Sequence, residues 1–350
     1  MKRWRVATIM ISLLLTFFGG EPATAGQPLI DARAWQAYKA KFLDPGGRIV
    51  DDANGGISHS EGQGYGLLLA YFADSPADFE QIWSFTRTEL MIRDDGLAAW
   101  SWNPDKYPHV QDINNASDGD ILIAYALALA GSGWQKIDYT REATRIAQAL
   151  LKETVIVYQG RTLLLPGASG FSQTDRKDGP VVNPSYWIFE AFPVLGTLVP
   201  SDKWRDVVQT GVDLLQQMQF GTGKLPADWV SVRQRPRPAD GFPPEFGYNA
   251  VRIPLYLVRA GIKDPALLTR LKQGMSGPDG LVTLVDLSSD KVVTTLSDPG
   301  YQIISDLVSC VVGGGKLPAT VKQFIPTLYY PSTLHLLGLA YAAEKHPECL

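Results

Sequence analysis

Helical segments of two kinds alternate along this chain, and this alternation most limits the folds that it can form. Residues 121–130 are apolar on every side, whereas residues 140–154 carry charged and amide side chains on one face only. A helix that is apolar all round must be buried, and a helix with one apolar face can cover it. The pattern therefore predicts an all-α fold in which an outer layer of helices surrounds an inner layer.

The helical pattern recurs along the whole chain, and strand patterns are few. The predicted helices are residues 32–43, 64–72, 76–90, 118–130, 140–154, 185–195, 203–219, 250–260, 265–274, 302–311 and 332–344. Two surface hairpins are predicted, one from residues 155–158 and 162–165 and the other from about residues 281–286 and 291–295.

Residues 1–25 have the pattern of a secretory signal peptide. Basic residues stand near the start, residues 6–18 are largely apolar, and small residues ending at Ala25 offer a cleavage site. We expect the mature chain, residues 26–350, to be a single domain because no linker-like tract divides it. We also expect it to be exported to the periplasm or the medium, without stable membrane insertion after signal cleavage.

The charge, the cysteines and the histidines limit which partners and ligands this chain can bind. The net charge is −4 and no basic block is present, which makes nucleic acid an unsuitable partner. The two cysteines, Cys310 and Cys349, can form a disulfide in an exported protein or remain unpaired. The four histidines are scattered and no His or Cys pair has ligand spacing, so we expect no metal and no cofactor.

Residues 58–66, Ser-His-Ser-Glu-Gly-Gln-Gly-Tyr-Gly, place the carboxylic acid Glu61 among small residues at the mouth of an apolar helix. A glycine inside a helix costs about 1 kcal/mol relative to alanine, so another requirement must favour these glycines. The close approach of a ligand is one such requirement. The alternative is that Ser58 or Ser60 caps the helix and Glu61 only interacts with its dipole.

A second acidic segment, residues 114–120, precedes the most apolar helix. Asp118 and Asp120 are two residues apart, so only one can point fully into a shared site, and we favour Asp118. The alternative is that Ser117 or Asp118 is the helix cap and the other acid interacts with the dipole.

If the helices pair as hairpins around a ring, every inner helix points the same way. The first turns of the inner helices, with Glu61, Asp118 and Asn249, then converge on one rim. Hydrolysis of a glycosidic bond needs an acid for the leaving oxygen and a carboxylate that supports the transition state or activates water. Glu61 and Asp118 could fill two of those places.

Aromatic residues at element ends and in loops also favour a carbohydrate site, because sugar rings stack on exposed aromatic faces. The alternative is that they are core aromatics, which is the commoner place of any single Trp, and we expect this for about half of them. The residues concerned are Trp100, Trp102, Tyr186, Trp187, Trp229, Tyr248, Tyr329 and Tyr330.

Four segments taken together resemble glycoside hydrolase family 8, and they follow one another in the family's order. They are residues 60–66, 116–127, 183–186 and 248–252. Within the family, the resemblance is greatest to the secreted endoglucanases associated with bacterial cellulose synthesis. It implies an (α/α)6 barrel with short β-hairpins on the surface, a cleft across one rim, and hydrolysis of β-1,4-glucan with inversion.

The resemblance also implies roles for individual residues. Glu61 matches the family's general acid. Asp118 matches the acidic residue of the family signature, described as a nucleophile or as a group that positions the sugar, and the second role suits inversion better. The residues at cleft-lining positions are Trp100, Trp102, Tyr186, Tyr248, Arg252, Tyr329 and Tyr330.

This chain departs from the family pattern at Asn249, where many members have the aspartate that acts as general base. An amide does not accept a proton at working pH. One interpretation is that Asn249 orients the water while another carboxylate is the base. The other is that the protein is a weakly catalytic glucan-binding component. We favour the first, because some subgroups of the family with Asn at this position are active enzymes. Glu245 is the tentative base, and Asp240 is a second candidate. Asp175 and Asp178 are weaker candidates.

The expected activity is that of an exported endo-β-1,4-glucanase acting in cellulose synthesis or on plant cell walls. The expected partner is β-1,4-glucan, with the cellulose synthesis machinery as a candidate protein partner. A chitosanase or a xylanase of the same family is the alternative enzyme, because the residues that choose among these polymers are not evident from the sequence.

Overall fold

A computed structural model describes residues 28–350, and the signal peptide predicted at residues 1–25 lies outside the described residues. The described part contains twelve α-helices. They are α1 (Ala32–Phe42), α2 (Ser60–Phe72), α3 (Pro76–Phe85), α4 (Ser117–Gly133), α5 (Ile137–Glu153), α6 (Ala191–Leu198), α7 (Asp202–Gln217), α8 (Ile253–Arg259), α9 (Pro265–Met275), α10 (Pro299–Gly313), α11 (Ala319–Lys322) and α12 (Tyr329–Lys345). Among these helices none has both the length and the hydrophobicity that a membrane span requires.

The even-numbered helices form an inner ring and the odd-numbered helices an outer one. In α4 every residue from 117 to 128 is buried, whereas in α5 the buried residues repeat along one face at Tyr139, Ala143, Ile146 and Leu150. The outer helices α3, α5, α7, α9 and α11 each pack against at least one inner helix next to them in sequence, and α1 packs against α12. This is an (α/α)6 barrel, as the resemblance implied, and the predicted two-layer arrangement is confirmed.

An ion pair joins inner helices that are far apart in sequence. Arg259, at the end of α8, donates from Nε to Glu190 at 2.7 Å, and Glu190 directly precedes α6. The same guanidinium donates to the carbonyl of Leu337 in α12 at 2.9 Å. Because both partners of the ion pair are nearly buried, the bond fixes the relative positions of three inner helices.

Within the described residues, ten short strands lie on the helical body. They are β1 (Ser58–His59), β2 (Ser101–Trp102), β3 (Val155–Tyr158), β4 (Arg161–Leu164), β5 (Val181–Val182), β6 (Val230–Ser231), β7 (Arg237–Pro238), β8 (Glu245–Phe246), β9 (Val282–Asp286) and β10 (Lys291–Leu296). The two predicted hairpins are confirmed as β3–β4 and β9–β10. The remaining strands are two residues long, too short to leave an alternating pattern in the sequence.

Several predicted helix boundaries are wrong. Two of them, the starts of α2 and α12, lie next to candidate site residues. Helix α2 begins at Ser60 rather than at residue 64, and α12 begins at Tyr329 rather than at residue 332. Helix α6 begins later than predicted, at Ala191, because the segment at Pro184–Tyr186 forms a separate 3₁₀ turn. Both early starts bring candidate site residues into a first helical turn.

Cys310 and Cys349 form a disulfide, so the alternative of unpaired cysteines is wrong. The bridge ties the C-terminal residues to α10 across a sequence separation of 39 residues. Closing a loop of that length reduces the entropy of the unfolded chain and stabilises the fold by about 2–4 kcal/mol.

The glycines at the mouths of α2 and α4 serve the packing of these two helices. A Cβ atom at Gly64 would lie 2.5 Å from the Cβ of Leu122, and one at Gly119 would lie 2.1 Å from Ser60 Oγ. Both positions therefore admit only hydrogen at this crossing. The expectation that the glycines make room for a ligand is corrected at Gly64 and Gly66, where an added Cβ would meet Leu122 and Ile49, whereas one at Gly62 would meet His59 and Tyr329.

Replacing Gly119 with alanine should destabilise the fold. The added methyl group would also lie 2.7 Å from the backbone nitrogen of Glu61, which cannot move without shifting α2. We expect a loss of about 1–3 kcal/mol in the free energy of unfolding, measured by urea denaturation. Gly313→Ala is the matched control, because no atom lies within 4 Å of its added Cβ, and its stability should be unchanged or slightly higher. Equal stability of the two variants would contradict the packing role.

Candidate active site

The first turns of the six inner helices, or the short turns just before them, meet at one rim of the barrel and enclose a cavity of about 550 Å³. Its lining residues are Asp51, Ala53, Asn54, His59, Ser60, Glu61, Trp100, Ala116, Asp118, Tyr186, Tyr248, Asn249, Arg252, Tyr301, Leu328, Tyr329, Tyr330 and Pro331. Glu61, Asp118 and Asn249 lie together at this rim although up to 188 residues separate them in the sequence.

Arg252 lines the cavity and binds two carboxylates. Its Nη2 donates to Asp118 Oδ2 at 2.6 Å, and its Nη1 donates to Glu61 Oε2. The side chains of Arg252 and Asp118 are 1% and 2% exposed, whereas that of Glu61 is 17% exposed. Glu61 is therefore the member of the group that a molecule in the cavity reaches most easily.

The two carboxyl groups have different affinities for a proton. Burial and the repulsion of Glu61 raise the pKa of Asp118 to about 7, although Arg252 opposes this. Burial also acts to raise the pKa of Glu61, but the charges of Arg252 and His59 outweigh it and lower that pKa below its ordinary value. The carboxyl groups interact through a hydrogen bond, so the pair titrates as a unit that keeps one proton up to about neutral pH.

His59, rather than Ser58 or Ser60, caps helix α2. Its Nδ1 accepts a hydrogen bond from the backbone N–H of Gly62 at 3.0 Å, and its Nε2 lies 3.3 Å from Asp51 Oδ2. This pair of contacts fixes the backbone on both sides of Glu61. The alternative of a serine cap is therefore wrong: Ser58 donates to the carbonyl of Ile49 instead.

Asp120 points away from the cavity. Its carboxylate accepts hydrogen bonds from the backbone N–H of Ala98 at 2.7 Å and from Asn115 Nδ2 at 2.8 Å. Burial raises the pKa of Asp120 to about 7. Neither Ser117 nor Asp118 caps α4; the cap position is Ala116, which makes no side-chain hydrogen bond.

Asn249 lines the cavity and is bound from behind by a carboxylate that sequence reasoning missed. Its Nδ2 donates to Asp228 Oδ2 at 3.2 Å. Asp228 is 5% exposed and also accepts from the backbone N–H groups of Gly247 at 2.9 Å and Ala250 at 2.8 Å. In the sequence, Asp228 is one loop aspartate among many, and only its position beside Trp229 sets it apart.

The four carboxylates proposed as bases lie outside the cavity lining. Glu245 is on strand β8, where it pairs with Asp286 of β9 while its neighbour Phe246 fills the core. Asp240 is exposed and forms an ion pair with Arg237. The structure thus corrects the choice of Glu245, because strand alternation gives the inward direction to Phe246.

Asp175 and Asp178, the two weaker candidates for the general base, stabilise the loop before β5. Asp178 binds Arg176 and the backbone N–H of Asp240, and Asp175 accepts hydrogen bonds from Ser172 and Gly170. These contacts account for both carboxylates without a role in the cavity.

The predicted aromatic residues separate into cavity and core groups. Trp100 and Tyr248 are 39% and 51% exposed and stand at the cavity edge. Tyr186, Tyr329 and Tyr330 also line it. Tyr301 lines it too, and sequence reasoning missed this residue although it lies in the first turn of an inner helix.

Three other aromatic residues lie outside the cavity lining. Trp102 donates from Nε1 to Glu89 at 3.0 Å, so its expected place among the cleft-lining residues is corrected. Trp187 is buried in the core, and the ring of Trp229 stacks between those of Phe171 and Phe242.

Among the described residues, one group of side chains is close enough to share a metal ion. It consists of His346, Glu348 and Cys349, and the sulfur of Cys349 is already in the disulfide. The group lies at the C-terminal end of the chain, and none of its members lines the cavity.

Comparison with known proteins gives consistent matches over most of the chain. The model of glycosyl hydrolases family 8 matches residues 2–344. A probable endoglucanase of Novacetimonas hansenii is 35% identical over 319 residues, which are 90% of this chain and 91% of that protein.

Solved structures match as closely. An endoglucanase of Klebsiella pneumoniae superposes with a TM-score of 0.81 at 36% identity, covering 90% of this chain and 99% of the other. The endo-β-1,4-glucanase of Acetobacter xylinum has a TM-score of 0.79 at 35% identity, covering 89% and 97%. Since sequence, fold and rim architecture agree, the chain belongs to glycosyl hydrolases family 8.

Proposed function

We propose that this protein is an endo-β-1,4-glucanase that hydrolyses β-1,4-glucan with inversion. The observation that carries the proposal is the pair of carboxylates, Glu61 and Asp118, held by one buried arginine in a cavity edged by aromatic rings. The endoglucanases that this chain matches over about nine-tenths of its length support the substrate class.

In the proposed mechanism, Glu61 protonates the glycosidic oxygen. It is the more exposed carboxyl of the pair, and in this proposal it delivers the proton that the pair keeps below about pH 7 because the pKa of Asp118 is raised. Asp118 is almost buried and acts by holding the sugar at the cleavage point, where a negative charge stabilises the oxocarbenium-like transition state. Arg252 fixes the separation of the two groups.

The aromatic residues of the cavity bind the glucan in this proposal. Trp100 and Tyr248 offer exposed ring faces at the edge, and Tyr186, Tyr329 and Tyr330 lie deeper. Stacking on these faces holds successive glucose units. Asn249 lies where it contacts the water that attacks the anomeric carbon.

The test of the activity compares the wild type with Glu61→Gln on carboxymethylcellulose, chitosan and xylan. We expect the wild type to release reducing ends from carboxymethylcellulose, with an early fall in viscosity that marks internal cleavage. Glu61→Gln should lose about 10²–10⁴-fold in kcat, because the amide keeps the shape of the side chain and has no proton to donate. Its affinity for cellohexaose, measured by calorimetry, should change little.

Glu245→Gln is the control for this experiment. Its carboxyl lies outside the cavity lining, so kcat should stay near the wild-type value. An active Glu61→Gln enzyme would refute the assignment of the acid. If the enzyme cleaves chitosan or xylan and not the cellulose derivative, its substrate is that polymer and not β-1,4-glucan. If it cleaves none of the polymers, the protein is a glucan-binding component and not an enzyme.

The pH dependence of the reaction tests the shared proton. Because the pKa of Asp118 is raised to about 7, the pair keeps its proton below that pH and loses it above. We therefore expect kcat/KM for cellohexaose to fall as the pH rises through about 7. In Asp118→Asn, Glu61 no longer shares a proton with a second carboxyl, and the fall should move to lower pH. An unchanged alkaline limb in that variant would contradict a shared proton.

Export is part of the proposal. The basic start and the apolar stretch of residues 1–25 support cleavage near Gly26, after which residues 26–350 act as one domain in the periplasm or the medium. There the enzyme would trim glucan made by the cellulose synthesis machinery, or cut plant wall glucan. We expect N-terminal sequencing of the exported protein to begin near Gly26, and an uncleaved start at Met1 would contradict export by this route.

A further inference from the structure

The proposed hydrolysis needs a group that takes a proton from water, and the cavity offers few candidates. Its lining carboxylates are Asp51, Glu61 and Asp118. Glu61 and Asp118 are bound to Arg252, and Asp51 contacts His59, only two residues from Glu61. In an inverting reaction the base acts on the sugar face opposite the acid, so a carboxylate beside Glu61 is in the wrong place.

Asn249 is on the opposite side of the ring from Glu61. Glu61 is in the first turn of α2, and Asn249 directly precedes the 3₁₀ turn Ala250–Arg252 that leads into α8, three places further around the six inner helices. It lines the cavity, and the Nδ2 group of its amide is engaged by Asp228. Its Oδ1 is therefore the amide atom left to accept a hydrogen bond from a water molecule.

We propose that Asn249 and Asp228 act together as the general base, with the amide passing the proton of the attacking water to the buried carboxylate behind it. The proposal rests on the proposed function. It is carried by the 3.2 Å contact between Asn249 Nδ2 and Asp228 Oδ2 and by the 5% exposure of Asp228, which keeps solvent from protonating it directly.

Two protons move through the relay while the water attacks. A water proton moves to Oδ1 of Asn249 while a proton of Nδ2 moves to Oδ2 of Asp228, which leaves the imidic acid form of the amide and a neutral carboxylic acid. The electron pair of the broken O–H bond forms the new bond to the anomeric carbon. The glycosidic C–O bond breaks, and the leaving oxygen takes the proton of Glu61.

Two further features of Asp228 suit a terminal proton acceptor. Burial raises its pKa above the ordinary value, although hydrogen bonds from Ala250, Gly247 and Asn249 oppose this, so its affinity for a proton is increased. Those backbone hydrogen bonds also hold the segment that carries Tyr248 and Asn249, which keeps the amide aligned with the carboxylate.

The test uses Asn249→Ala and Asp228→Asn in the full protein, assayed on cellohexaose with and without azide. Each variant should lose about 10²–10⁴-fold in kcat. Azide attacks without giving up a proton, so it should restore turnover in both variants and yield the glycosyl azide. Asp178→Asn is the matched control, because Asp178 is equally buried at 5% exposure and lies outside the cavity lining; it should keep the wild-type kcat.

A second measurement separates the relay from support of the loop. In Asn249→Asp the new carboxylate takes the proton itself, so adding Asp228→Asn should cost far less than it does in the wild type. Wild-type kcat in Asp228→Asn, no azide rescue, or an equal cost of Asp228→Asn in both backgrounds would each overturn the relay. If the wild type cleaves no polymer, the proposed function fails instead, so the two failures are distinguishable.

Discussion

The buried guanidinium of Arg252 is the interaction on which the rest of the site depends. It binds carboxylates from two other inner helices, at sequence separations of 191 and 134 residues. Two carboxylates and one arginine leave a net negative charge away from water, which is costly unless compensated. The positive ends of the inner helices point at the same place, and the proton that the pair retains removes the remaining charge.

This arrangement requires α2 and α4 to cross closely at their first turns. Glu61 and Asp118 are each the second residue of their helix, so a shift of either helix would move one carboxylate away from the arginine. Gly64 and Gly119 permit the close crossing, since either methyl group would collide with the facing helix. The two glycines lower the helix propensity of α2 and α4, and this cost is offset by the ion pairs that the close crossing permits at Glu61 and Asp118.

The layered barrel could be predicted from the sequence because burial leaves a periodic pattern in long helices, as in residues 121–130. The start of α2 could not, since Ser60 and Gly62 lower the helix propensity of this first turn, which is held by a histidine cap and by α4. The position of Asp118 at the rim could also be predicted, because the first turns of parallel inner helices meet there. The position of Asp228 behind Asn249 could not. Its partners are backbone N–H groups and an amide some twenty residues away, and contacts of this kind have no sequence pattern.

The cavity also contains polar atoms that the protein itself does not satisfy. Within residues 28–350, five buried side-chain atoms have no hydrogen-bond partner in the protein: Ser60 Oγ, Arg252 Nε, Tyr329 OH, Asn114 Oδ1 and Asn183 Nδ2. Each such atom costs free energy in the folded chain, and a core selected for stability alone would pair it or replace it. The first three of these five atoms belong to residues that line the same cavity, so most of the cost falls where a polyhydroxylated ligand could offer donors and acceptors. Interactions far from the cavity, including the Arg259–Glu190 ion pair and the disulfide, stabilise the fold and offset this local cost.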